Sequence, residues 1–178
     1  MSHVIKNILL TGAPGVGKTT LLRAILQGLN RPCGGFYTRE VRDAQGRRAA
    51  FELVTLDGRS GLLAKQDLPD SPYRVGRYGV SLAALETLAV PEVLTAARTG
   101  QLVVIDEIGS MEFFSALFCE AVQEALDTAP AVLGTIVQRS TPHGDLIKAR
   151  TDVQLIEVTR QNRDYLVGSL LAALLEKY

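Results

Sequence analysis

Short apolar runs alternate with longer stretches in which apolar side chains recur at every third or fourth position. Ile8, Leu9 and Leu10 read as the end of a buried strand, and Leu21, Leu22, Ile25 and Leu29 mark one face of a helix over 20–29. Aromatic and β-branched residues at 35–41 predict a strand, and Asp43-Ala44-Gln45-Gly46 predicts a turn. A returning strand follows at 50–56, then an Asp57-Gly58 turn and a short strand at 61–64. These local signals are antiparallel, so 35–64 reads as a hairpin insertion at a sheet edge. The segment 69–79, with two prolines and two glycines, reads as a loop.

Ser81 is placed to cap a helix with Leu82, Leu85 and Leu88 on its apolar face, and Pro91 to open a further helical segment reaching Arg98. Helices are also predicted at 113–126, 142–149 and 164–176, and buried strands at 102–105, 131–137 and 155–158. Strand and helix alternating along most of the chain predict an α/β fold: a mostly parallel sheet between two helical layers. No repeat or low-complexity linker divides the 178 residues, so 1–178 reads as one domain.

Between the first strand and the first helix stands Gly12-Ala13-Pro14-Gly15-Val16-Gly17-Lys18-Thr19. Glycines let the backbone wrap closely around a phosphate, and the first turn of the helix offers unpaired N–H groups at its positive end. In this strand–loop–helix setting the G-x-x-x-x-G-K-[ST] spacing predicts a P-loop. Residues Gly12 to Thr19, with Thr20 beside them, would hold the nucleotide phosphates. Lys18 would reach the β- and γ-phosphates, and the Thr19 hydroxyl would bind Mg²⁺.

A second signal lies where Leu102-Val103-Val104-Ile105 runs into Asp106-Glu107. Ligands of open α/β sheets sit at the carboxyl ends of strands, so both carboxylates should face the phosphate loop. Asp106 suits the partner of Mg²⁺ opposite Thr19, and Glu107 suits a base that orients or deprotonates a water for attack on the γ-phosphorus. The guanine-reading Asn-Lys-x-Asp of a switch GTPase is absent.

Composition narrows the partners. Lys plus Arg equals Asp plus Glu at 19 each, so there is no broad positive field for nucleic acid. The apolar stretch at 165–175 is too short to span a bilayer. The run ending at Leu10 leads into the phosphate loop rather than a cleavage site, which predicts a cytoplasmic protein. Cys33 and Cys119 have no metal-ligand spacing and read as buried free thiols. The expected partners are nucleoside triphosphates, with no membrane or nucleic acid, and the expected state is a monomer.

With both motifs in place, the chain resembles the small nucleoside-triphosphatases first described in thermophiles and related to the human cancer-related nucleoside triphosphatase. The resemblance rests on Leu10 through Leu21, Gly35-Phe36-Tyr37-Thr38 with Glu40-Val41-Arg42, and Gly76-Arg77-Tyr78. It continues through Val104-Ile105-Asp106-Glu107-Ile108-Gly109 with Met111-Glu112, Gly134-Thr135-Ile136, and Val158-Thr159 with Asn162-Arg163. It implies a RecA-like fold and Mg²⁺-dependent hydrolysis of several nucleoside triphosphates to diphosphate and phosphate, with loose base preference. Two positions depart from the family pattern: Ser110 stands where a lysine is usual, and Arg39 where an acidic residue is usual. Arg42, or Arg39, is therefore expected to supply a catalytic cation in cis.

Weaker signals complete the picture. Arg42, Arg47 and Arg48 flank the predicted hairpin, as a lid over the phosphates or as solvated surface. Arg139, Asn162 and Arg163 follow strands that should border the same crevice, where they could contact base or ribose, although Asn162 equally suits a helix cap. His143 reads as surface, and Phe113, Phe114, Leu117 and Phe118 as core. Glu112 either supports Glu107 or favours the start of the next helix. Two other functions fit these residues: a kinase passing the γ-phosphoryl to an acceptor, and a regulatory nucleotide-binding module.

Overall fold

The computed structural model describes residues 5–177, and the apolar runs do form its central strands. Strands β1 (Asn7–Thr11), β2 (Cys33–Arg42), β7 (Leu102–Ile108), β8 (Val132–Ile136) and β9 (Val153–Glu157) make the parallel part of a nine-stranded sheet. With β3 (Arg48–Thr55), β4 (Ser60–Gln66), β5 (Arg74–Val75) and β6 (Tyr78–Val80), its order is β5-β6-β4-β3-β2-β7-β8-β1-β9, so β8 separates the phosphate-loop strand from the carboxylate strand.

Side-chain alternation sorts the two helical layers. Ile8, Leu10, Leu102 and Val104 pack on one face with Leu21, Leu22 and Ile25 of α1 (Lys18–Gly28) and Leu170 and Leu174 of α6 (Arg163–Lys177). Leu9, Val103 and Ile105 pack on the other with Val93 and Ala96 of α3 (Val90–Arg98) and Phe118 and Val122 of α4 (Ala116–Thr128). A strand buried on both faces has little room for polar residues, which is why those it carries at its carboxyl end are conspicuous. A short helix, α5 (Pro142–Lys148), follows β8, its Thr141 side chain accepting from the Gly144 amide.

The antiparallel part stands at one edge of the sheet, as expected, but holds more strands than the predicted hairpin. β2 belongs to both halves: Cys33–Phe36 pair in parallel with β7, and Phe36–Arg42 pair antiparallel with β3 (Arg48–Thr55). β4 is Ser60–Gln66, and the stretch expected as a loop holds two short strands, β5 (Arg74–Val75) and β6 (Tyr78–Val80). The meander thus extends the core sheet, with two more strands than predicted. β4 pairs with β6 across the intervening segment, which local turn signals do not report, while β5 and β6 close on each other across Gly76-Arg77.

Two helical predictions also change. Between α2 (Leu82–Ala84) and α3 the chain winds one π-helical turn, Leu85–Ala89, without leaving the helical path, and the Ser81 side chain caps nothing. Pro91 has no N–H for a carbonyl four residues back, and a wider turn tolerates that lack. A 3₁₀ turn at Glu112–Phe114 precedes α4, whose true cap is Ser115, accepting from the Phe118 amide at 3.2 Å. The break shifts the helical phase, so Phe118 is buried and Phe113 half-buried, but Phe114 and Leu117 are exposed. Cys33 and Cys119 are free, as expected, but half-buried.

Candidate active site

Each phosphate-loop glycine that takes a left-handed backbone does so for a reason. Gly12 has φ +142° and a Cβ there would lie 2.5 Å from the Val158 carbonyl oxygen, while Gly15 and Gly17 have φ +75° and +105°. Val16 is buried and anchors the loop, and the Val158 amide donates to the Thr11 carbonyl at 2.7 Å, tying β1 to the end of β9. Gly17 precedes α1 and no side chain caps that helix, so its first-turn N–H groups stay available to an anion. Lys18 Nζ donates to the Gly12 carbonyl at 3.0 Å, which holds the ammonium over the loop.

Both carboxylates reach this loop because the β7–β8 ladder is interrupted between Ile105 and Ile108. Strand alternation would have sent Asp106 and Glu107 to opposite faces. Asp106 is 1% exposed; its Oδ1 accepts from the Thr135 hydroxyl at 2.6 Å, and its Oδ2 has no hydrogen-bond partner. Burial pushes its pKa up, opposed by the Thr135 and Thr19 hydroxyls, the Lys18 ammonium and the Thr38 amide. Burial also raises Glu107, with Lys18 opposing and Asp106 adding to the rise. A cavity of about 460 Å³ brings these groups together, with Pro14, Gly15, Gly17, Lys18, Thr19 and Thr20 on one side and Asp106 and Glu107 opposite. The remaining wall comes from Arg23 and the β2–β3 ribbon: Thr38, Arg39, Glu40, Arg48 and Phe51.

The other predicted residues fare differently. Arg42 does not line the cavity: it donates to Glu40 Oε2 and to the Gly46 carbonyl, both at 2.8 Å. A register break between Val41 and Arg42 turns it to the hairpin end. Arg39 does line it, held by Glu52 through Nε and Nη2 at 3.2 and 2.5 Å. Arg139 lies outside and donates from Nη2 to Ser110 Oγ at 2.6 Å, so the serine that departs from the family pattern anchors an arginine from the next strand's loop. Asn162 is occupied in bracing its own loop, accepting from the Thr159 amide at 2.8 Å and donating to the Glu157 carbonyl at 2.9 Å. Arg163 touches the phosphate loop from behind, Nη1 donating to the Val16 carbonyl at 3.5 Å. His143 is exposed and stacks on Phe113.

Thr135, Thr38, Arg23, Glu40 and Phe51 were not predicted as site residues. Thr135 had one readable signal, a hydroxyl inside the apolar run 131–137. The rest depend on which strands pair.

Behind Glu107 lies Glu112, 4% exposed, its carboxyl pushed up to about 8 by burial and then by the Glu107 charge. A carboxyl whose pKa rises on folding holds its proton more tightly in the native state. Its stabilisation is complete below the ordinary value of 4.5 and is lost as pH rises through about 8. Glu112→Gln should therefore gain on wild type by up to roughly 1.4 kcal/mol per pH unit across that window. Urea unfolding at several pH values measures the gap, and a gap that does not widen with pH refutes the buried acid.

Comparison with known proteins shows the family of this fold. A family model described as NTPase matches residues 7–171. The chain belongs to this NTPase family. It is 46% identical over 167 residues to nucleoside-triphosphatase THEP1 of Thermotoga sp. (strain RQ2), covering 94% of each chain. It is 42% identical over 181 residues to the human cancer-related nucleoside-triphosphatase, covering 93% of this chain and 95% of the relative. The crystal structure of THEP1 from Aquifex aeolicus superposes with a TM-score of 0.86 at 35% identity, covering 94% of this chain and 98% of the other. The expected P-loop α/β fold is thus the family's own.

Proposed function

We propose that this NTPase-family chain hydrolyses nucleoside 5'-triphosphates, ATP and GTP among them, to diphosphate and phosphate. The observation that carries the proposal is the single cavity in which Lys18 and Thr19 face Asp106 and Glu107. The phosphate loop holds the triphosphate tail, with Lys18 leaving the Gly12 carbonyl for phosphate oxygens. Glu107 orients a water and accepts its proton, and its raised pKa makes it a stronger base than an ordinary carboxylate. As the water oxygen bonds to the γ-phosphorus, the bond from that phosphorus to the bridging oxygen breaks, leaving diphosphate and phosphate.

The donor set fits Mg²⁺. Oxygen ligands suit a hard cation, and the buried Asp106 Oδ2 is an acceptor that no protein donor satisfies. Thr19 and Asp106 would hold the ion, which neutralises charge on the β- and γ-phosphates when bound. The sequence lacks the Asn-Lys-x-Asp that fixes guanine in switch GTPases, which supports a broad base preference. In this reading the chain works as one domain and as a cytoplasmic monomer on free nucleotides. Its balanced charge offers nucleic acid no broad positive surface, and no described helix is long and apolar enough to cross a membrane.

The test is phosphate release from each nucleoside triphosphate, with Mg²⁺ and with chelator, for wild type and Asp106→Asn. Wild type is expected to release phosphate from all of them only with Mg²⁺. Asp106→Asn should need a much higher Mg²⁺ concentration and lose about 10²-fold or more at low Mg²⁺. Phosphate appearing on an added acceptor rather than in solution would favour the transferase alternative.

A further inference from the structure

The cavity that holds Lys18, Thr19, Asp106 and Glu107 is also walled by the β2–β3 ribbon, through Glu40, Phe51 and Arg48 among others. Arg48 sits at the start of β3, and its backbone is pinned: the Gln66 side chain and the Tyr78 hydroxyl both donate to its carbonyl. Its side chain is less committed. Nη2 donates to Glu40 Oε1, the guanidinium carbon lies 5.3 Å over the Phe51 ring, and Nε is buried with no partner. A buried N–H without an acceptor is costly, so it marks a donor that an incoming group would satisfy.

The other arginines near this wall are engaged elsewhere. Arg39 is held by two bonds to Glu52, and Arg23 lies over the Tyr37 ring at 5.0 Å. Arg42 is outside the cavity and shares Glu40 with Arg48. That sharing leaves Glu40 neutralised if Arg48 departs, because Arg42 stays on its second oxygen.

We propose that Arg48 is the cation that acts in cis on the γ-phosphate, held in reserve by Glu40 until the triphosphate enters. The triphosphate tail carries more charge than the shared carboxylate and competes for the guanidinium. Arg48 then donates from Nε and Nη to γ-phosphate oxygens, where charge shifts as the bridging bond breaks, and it makes or breaks no covalent bond itself. Cation–π contact with Phe51 keeps the guanidinium at the wall rather than in solvent. The assignment rests on the hydrolytic reading above.

The test compares Arg48→Ala and Arg48→Lys with wild type, and with Arg59→Ala as another arginine of the same meander, which pairs with Asp57 and Glu92. Arg48→Ala is expected to lower kcat by about 10²- to 10³-fold with diphosphate affinity and melting temperature nearly unchanged, and Arg48→Lys to fall between. Guanidinium ion, added below concentrations that slow wild type, should restore part of the lost rate. Arg48→Ala turning over like wild type, or slow and not rescued, overturns the assignment. If Glu107→Gln is then still inactive, hydrolysis stands and only the role of Arg48 falls; if wild type releases no phosphate at all, both fall.

Discussion

Glu107→Gln is expected to release phosphate about 10²- to 10⁴-fold more slowly than wild type while binding Mg²⁺–nucleotide nearly as well. The amide has the size of the carboxylate but cannot accept a proton at neutral pH, so the change removes basicity and keeps shape. That range corresponds to roughly 3–5 kcal/mol of barrier. Nucleotide affinity should survive because, in the proposed reading, the loop, Lys18 and the first turn of α1 hold the phosphates and Glu107 does not. Removing the charge also frees Glu112 of one of the three influences that hold its proton on, burial and the Asp106 charge being the others, so its titration should move down in the variant. Single-turnover phosphate release and equilibrium nucleotide binding on the same preparation separate the two effects. Wild-type release with normal binding would remove Glu107 from the chemistry.

Gly35→Ala is expected to destabilise the fold by about 3–5 kcal/mol, a large share of a typical domain's 5–15 kcal/mol. Gly35 has φ +122°, and a Cβ there would run into the Val104 carbonyl oxygen. The residue lies where β2 passes from its parallel partner to its antiparallel one: it pairs with Val104, and its carbonyl accepts from the Leu56 amide at 2.9 Å. Displacing it separates β2 from β7, and with it the cavity wall from the carboxylates. Gly46→Ala is the control, since it also has a left-handed backbone, φ +76°, but a Cβ there meets nothing within 4 Å. It should cost about 1–2 kcal/mol, the backbone term alone. Urea unfolding of the two variants gives the comparison, and equal losses would show that close approach at Gly35 is not what matters.

The parts of the site that were legible are local or nearly so. The phosphate loop announces itself because glycines, a lysine and a hydroxyl must be adjacent in sequence to surround one anion. Asp106 and Glu107 stand out in the sequence because polar residues ending a buried strand have few other uses, and both line the cavity. Arg42 was misplaced for a reason no single-strand reading supplies: the register break beside Val41 turns it from the cavity and leaves Arg48, on the opposite strand, facing in. Phe114 and Leu117 failed as core residues because Ser115 restarts the helix and resets which face points inward.

By itself, then, the sequence determined the alternating α/β order, the anion-binding loop and the pair of acids, since each depends on spacing along the backbone. Tertiary structure alone decided that β2 serves two strand partners, that the β7–β8 ladder breaks between Ile105 and Ile108, and which arginines of the ribbon line the cavity. Those outcomes depend on strand order and register, which arise from contacts between residues dozens of positions apart, and such contacts leave no periodic trace in the chain.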